Sequence, residues 1–196
     1  MTGRAIIAAL AVALLLTAGR SVGQTTDGAD GPPRYQVEVV VFTQPPIGER
    51  RQEAPATEPT PLPRRLAWPL GEPDDGLLGY DRLPASSHQL TGTARRIDAQ
   101  AGFDVRWHAA WEQPGVSRGQ AQPLVLPAID SIPSLEGTIQ ISRERYRHAR
   151  VELRYAESAD AHWTLSASRR LRGEAPHYFD HPVLGVVIRV DPLTVD

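Results

Sequence analysis

The chain has 196 residues, no cysteine, and a formal net charge of −2 from 21 basic and 23 acidic side chains. Without cysteine there are no disulfides, no thiolate-ligated zinc and no thiol nucleophile. A near-neutral balance gives no electrostatic case for a nucleic-acid partner. Every basic residue is arginine.

Residues 1–23 have the three-part layout of a secretory signal. Arg4 supplies a basic start, Ala5 to Leu16 is uninterrupted and apolar, and Ser21-Val22-Gly23 offers a cleavage site before Gln24. The apolar run is shorter than the ~20 residues a spanning helix needs, which favours cleavage over anchoring. No comparable run follows, so the mature chain is expected not to be membrane-embedded. Residues 24–34 read as a flexible polar lead.

"YQVEVVVF", Tyr35 to Phe42, is the first expected strand, with Tyr35, Val37, Val39 and Val41 on one face. Prolines then recur every few residues from Gln44 to Pro84, which forbids helix and sheet interior. This stretch is expected to be a long Pro-rich surface excursion inserted into one domain, with Trp68 docking on that domain. "SSHQLTGTARRIDAQAG" predicts the principal helix, capped by Ser86 or Ser87, striped by Leu90, Ala94, Ile97 and Ala101, and closed by Gly102. "FDVRWHAAW" alternates, so Phe103, Val105, Trp107, Ala109 and Trp111 are expected on one face of a half-buried strand. "PLVLP" predicts a short edge piece.

Strands then follow at turn-length gaps: "LEGTIQIS", "RHARVELRYA", "WTLSASRRL" and "VLGVVIRV". The inward residues of the second are Ala149, Val151, Leu153 and Tyr155, and those of the third Trp163, Leu165, Ala167 and Leu171. The last, apolar on both faces, reads as a central strand. The fold class is α+β: a single domain over residues 35–196, mainly antiparallel β-sheet, with one principal helix after the first strand covering one sheet face.

"HYFDH" sets His177 and His181 four apart with Asp180 between them. That spacing suits a metal on a helix, but Pro176 and Pro182 bracket too few residues for one. A genuine site needs three or four convergent ligands. The block is therefore expected to be structural, with Tyr178 and Phe179 packing and Asp180 accepting backbone amides in the turn. Neither a GxSxG elbow nor a phosphate loop is present. Glu112, Glu136, Glu152 and Glu174 show no spacing that selects a glycosidase pair. No catalytic residue, metal or cofactor is expected.

Several segments, in order, resemble the CsiV family of periplasmic peptidoglycan-binding proteins of Gram-negative bacteria: "YQVEVVVF", "WHAAWEQPG", "LEGTIQISRERYRHARVELRY" and "SRRLRGEAPHYFDHPVLGVVIRVDP". The resemblance implies a non-enzymatic periplasmic protein that binds peptidoglycan and supports wall synthesis. It also implies two further partners, a class A penicillin-binding protein and that synthase's outer-membrane lipoprotein activator. It assigns no ligand residues. Physical chemistry suggests some, because arginine forks suit the carboxylates of stem peptides. Eight arginines against four acids lie between Arg143 and Arg172. If the two strands pair, Arg150, Arg154, Arg170 and Arg172 are expected to form one outward basic face. The competing readings are a solvated face answered by Glu152 and its neighbours, a module whose main ligand is a synthase complex, and, last, a hydrolase with an unrecognised site.

Overall fold

Residues 31–45, 54–62, 68–69, 80–126 and 132–193 are described by the computed structural model. They belong to one compact unit. The expected signal and most of the lead lie outside the described residues.

Strand β1 (Arg34–Thr43) is buried on both faces over most of its length and becomes the middle of a sheet. It pairs antiparallel with β4 (Asp104–Pro114) on one side and with β10 (Leu184–Pro192) on the other. The two-residue β3 (Asp81–Arg82) and β9 (His177–Asp180) complete the order β3-β4-β1-β10-β9. A second sheet has the order β2-β5-β6-β7-β8. It contains β2 (Trp68–Pro69), β5 (Leu124–Val125), β6 (Ser134–Arg143), β7 (Arg147–Ser158) and β8 (Ala161–Leu171). Short turns keep β6, β7 and β8 adjacent. The chain then returns to the first sheet for β9 and β10, so the expected strand run is divided between two sheets.

The two sheets share one core. Val37, Val39, Val41, Trp111, Val186 and Ile188 from the first pack in the same cluster as Leu135, Ile139, Val151, Leu153, Trp163 and Leu165 from the second. Full burial of each such aliphatic side chain contributes about 1.5–3 kcal/mol. β6 approaches β7 closely at Gly137, whose φ of +145° and nearest neighbours exclude a side chain. A Cβ there would sit 2.1 Å from the Glu152 carbonyl oxygen.

Helix α1 (Thr91–Asp98) covers the opposite face of the first sheet. Leu90 and Ala94 pack on Val40, Phe42 and Val187, with Ile97, Phe103 and Val105 at the margin. The helix is shorter than expected, and Ala101 is exposed. No serine caps it: Ser86 and Ser87 fall in a separate 3-10 turn, Ala85–Ser87. Its entry is capped from another strand instead. The Glu38 carboxylate of β1 accepts from the backbone amides of Gln89 (2.6 Å) and Leu90 (2.9 Å), satisfying donors at the helix entry.

β4 also departs from the expected alternation. Its register against β1 shifts between Val41 and Phe42, so that Val41 pairs with Trp107 and Phe42 with Val105. A bulge inserts one residue and reverses the side-chain alternation. Phe103 and Val105 therefore face α1, while Trp107 and Trp111 face the shared core. The expected uniform stripe is broken at this point.

The described parts of the Pro-rich stretch run along sheet edges. Ala56 bridges His162 of β8, Trp68–Pro69 pairs parallel with Leu124–Val125, and Asp81–Arg82 pairs with β4. The rest of that stretch, and the docking of the Trp68 ring, lie outside the described residues.

Candidate functional site

The β6–β7 hairpin closes through Arg143 opposite Arg147, leaving Glu144, Arg145 and Tyr146 as the turn. β8 ends beside it, with Leu171 paired to Arg147 and Arg170 to His148. The chain leaves β8 through Arg172 and Gly173, the latter at φ +63°. Together these termini form a cleft of about 360 Å³ lined by Tyr35, Arg143, Arg145, Tyr146, Arg147, Arg170, Leu171, Arg172 and Gly173.

Five arginines thus line a cleft where two strand ends and a hairpin tip meet. Arg147 is fixed: it donates to the carbonyls of Val190 (2.5 Å) and Gly173 (2.6 Å) and lies over the Tyr35 ring at 5.6 Å. The Arg145 and Arg170 guanidiniums lie 5.3 and 3.1 Å from the centroid of the half-exposed Tyr146 ring. Cation–π contact and shared aromatic packing hold these arginines without consuming their charge. Among the described residues, none of the five makes an ion pair with a carboxylate. Unanswered charge around a concave, partly aromatic surface is suited to an anionic ligand with some apolar faces.

A smaller cleft of about 250 Å³ lies at the other end of β8, lined in part by Gln44, Tyr155, Glu157 and Trp163. Glu157 gives that cleft the opposite sign.

A third cluster lies under α1. His108 Nε2 is 2.7 Å from Glu38 Oε1, and His88 Nδ1 is 4.0 Å from the same oxygen. Burial pushes the Glu38 carboxyl up. The His108 hydrogen bond, the amides of Leu90 and Gln89, and the charge of His108 together outweigh that and hold it below the usual carboxylate value.

Residues 78–193 match the family model described as "Peptidoglycan-binding protein, CsiV". The chain belongs to the CsiV family. No curated protein and no solved structure matches it. The segment matched to CsiV contains every cleft residue except Tyr35, together with His88 and His108.

The four arginines expected as a face are distributed unevenly in this CsiV-family chain. β7 and β8 do pair, as that expectation required. Arg170 and Arg172 line the cleft. Arg150 donates to Glu152 at 2.9 Å, and Arg154 donates to Glu136 and to the Thr60 carbonyl. Glu112 likewise lies 3.4 Å from Arg34, so three of the four glutamates weighed as acids sit in ion pairs.

The "HYFDH" side chains do not meet one another around a shared centre. His177 Nε2 accepts from the Arg172 amide at 3.1 Å, and His181 Nδ1 accepts from the Val183 amide at 3.3 Å. Phe179 is buried in the core, whereas Tyr178 stacks on Phe42 at the surface. Among the described residues, Asp180 accepts from the Tyr178 hydroxyl (2.9 Å) and Gln44 Nε2 (3.4 Å) rather than from the turn amides expected of it. Gln44 reaches it from the far end of β1, a contact no local pattern signals.

Sequence reasoning missed Arg143, Arg145, Arg147 and Tyr146. Their signal was present in "RERYR", where arginines at alternate positions flank a tight turn. Only the pairing of Arg147 with Leu171 brings that turn to the end of β8.

Proposed function

We propose that this protein is a periplasmic, non-enzymatic binder of peptidoglycan that takes the carboxylates of stem peptides in its arginine cleft. The observation that carries this reading is the set of five arginines, free of carboxylate partners among the described residues, around Tyr35 and Tyr146. Peptidoglycan supplies carboxylates at spaced positions and sugar C–H faces. Guanidinium forks match the first, and the exposed Tyr146 ring matches the second. Peptidoglycan lies outside the cytoplasmic membrane, which agrees with the signal-like Arg4 to Gly23 stretch. Among the described residues, no helix is long and apolar enough to cross a membrane.

Arg170 and Arg172 form the centre of the expected basic face, and Arg150 and Arg154 extend it along β7. The latter two add less, because Glu152 and Glu136 offset their charge. Wall binding of this kind serves cell-wall synthesis. A class A penicillin-binding protein and its lipoprotein activator are the partners that the family resemblance implied, and they enter this proposal on that ground alone.

The test is co-sedimentation with isolated sacculi, using a variant carrying Arg143→Gln, Arg145→Gln, Arg170→Gln and Arg172→Gln. These residues anchor no buried acid, so the melting temperature should stay within a few degrees of the parent. Exposed pairs contribute about 0–1 kcal/mol each, so four together should weaken binding on the order of ten-fold or more. The parent's binding should fall as salt rises, since exposed charges are screened beyond ~8 Å at physiological ionic strength. A folded variant that pellets like the parent would refute the cleft. Muropeptides released in the same sample would refute the non-enzymatic role.

A further inference from the structure

We propose that Glu38, His88 and His108 form a binding site for one zinc-class divalent transition-metal ion, which ties the α1 segment to the first sheet. This is the group of three or more metal-capable side chains found among the described residues, and its donor atoms all lie within 4.8 Å of one another. Three separate elements supply them: β1, the loop before α1, and β4.

The distances are close to what coordination requires. Ligands bound at ~2.0–2.2 Å in a tetrahedron stand roughly 3.3–3.5 Å apart. His108 Nε2 and His88 Nδ1 are 2.7 and 4.0 Å from Glu38 Oε1, so each needs a shift of less than about 1 Å. The two imidazoles are in contact, with centroids 4.7 Å apart and planes inclined by 57°, and their donor atoms lie within 4.8 Å of each other.

Helix capping alone does not account for the arrangement. Two backbone amides and His108 already serve the Glu38 carboxylate. His88 is then superfluous to the hydrogen-bond network. Its side chain is only 11% exposed, yet among the described residues neither ring nitrogen makes a hydrogen bond. Nδ1 instead stands at 4.0 Å from the carboxylate, too far for a hydrogen bond but within reach of a shared ion.

The surroundings hold the three ligands in place. Gln36 Nε2 donates to the Ser87 carbonyl at 2.9 Å, anchoring the residue before His88. The Gln89 and Leu90 amides fix the plane of the Glu38 carboxylate. Such outer contacts orient ligands and raise affinity. Two imidazoles and one carboxylate favour Zn²⁺, Cu²⁺ or Ni²⁺ over Mg²⁺ and Ca²⁺, which prefer all-oxygen shells. With three protein ligands, a water molecule would complete a tetrahedral shell.

The inference does not rest on the wall-binding reading. Gln36 and Glu38 alternate with Tyr35 and Val37 along β1 and so face α1, whereas Tyr35 lines the arginine cleft.

The experiment titrates Zn²⁺ into chelator-stripped protein by calorimetry, with thermal melts in Zn²⁺ and in Mg²⁺. One Zn²⁺ per chain should bind, and the melting temperature should rise with Zn²⁺ concentration but not with Mg²⁺. Co²⁺ in place of Zn²⁺ should give the visible bands of a low-symmetry four-coordinate site. His88→Ala removes a ligand without breaking a hydrogen bond. It should keep the metal-free melting temperature, bind Zn²⁺ at least ~10-fold more weakly and lose the Co²⁺ bands. His162→Ala, at a β8 histidine outside the cluster, should bind as the parent does. Should His88→Ala fold poorly, His88→Asn replaces it in the same assays. Absence of stoichiometric binding by the parent, or parent-like affinity in the His88 variant, would overturn the proposal.

Discussion

Gly185 and Phe42 are directly opposite each other on β10 and β1, and the Phe42 ring lies over the glycine. A Cβ on Gly185 would fall 2.1, 2.5 and 2.7 Å from Cζ, Cε2 and Cε1 of that ring. The ring has little room to move, because Phe103 lies 6.0 Å away and Tyr178 stacks at 6.2 Å. Gly185→Ala alone should therefore destabilise by about 1–3 kcal/mol, the usual range for an overpacked core. Phe42→Ala alone should lose about 3–5 kcal/mol, because it empties a buried aromatic site. In the Phe42→Ala background the sign of the glycine substitution should reverse. The new methyl enters vacated space, and replacing a strand glycine recovers about 0.5–1 kcal/mol of backbone entropy. The pair should thus be coupled by about 1.5–4 kcal/mol. A double-mutant cycle by urea unfolding, with m-values compared across all four proteins, measures this directly. Effects that add to within about 0.5 kcal/mol would refute the contact on which the argument depends.

Gly137→Ala should be among the most damaging single substitutions, destabilising by about 2–6 kcal/mol in the same unfolding assay, because positive-φ strain adds to a clash with β7 backbone. N-terminal sequencing of protein recovered from the periplasm should begin near Gln24; intact Met1 in a membrane fraction would make the segment an anchor instead.

The sequence alone determined what depends on neighbours along the chain. Period-two alternation picked out β1, β6, β7 and β8, and assigned Val37, Val151, Leu153 and Leu165 to the interior, because a pleated strand sends alternate side chains to opposite faces. The doubly apolar "VLGVVIRV" marked a strand covered on both sides. The family-specific segments marked membership in a peptidoglycan-binding family. Tertiary structure decided everything that depends on which distant segments meet. The bulge that turns Phe103 and Val105 toward α1 exists only in the register of β4 against β1. A local rule put a serine at the start of α1; the cap comes instead from Glu38, some fifty residues away. That glutamate is the charge within "VEVVV", and its burial became intelligible only once α1 and His108 were placed against it. The arginines followed the same logic. Their number was plain in the sequence, but Arg150 and Arg154 are answered by Glu152 and Glu136, while Arg143, Arg145, Arg147, Arg170 and Arg172 line one cleft with no carboxylate partner among the described residues. Composition fixes how much charge a chain carries, and only pairing between strands fixes which of it is cancelled.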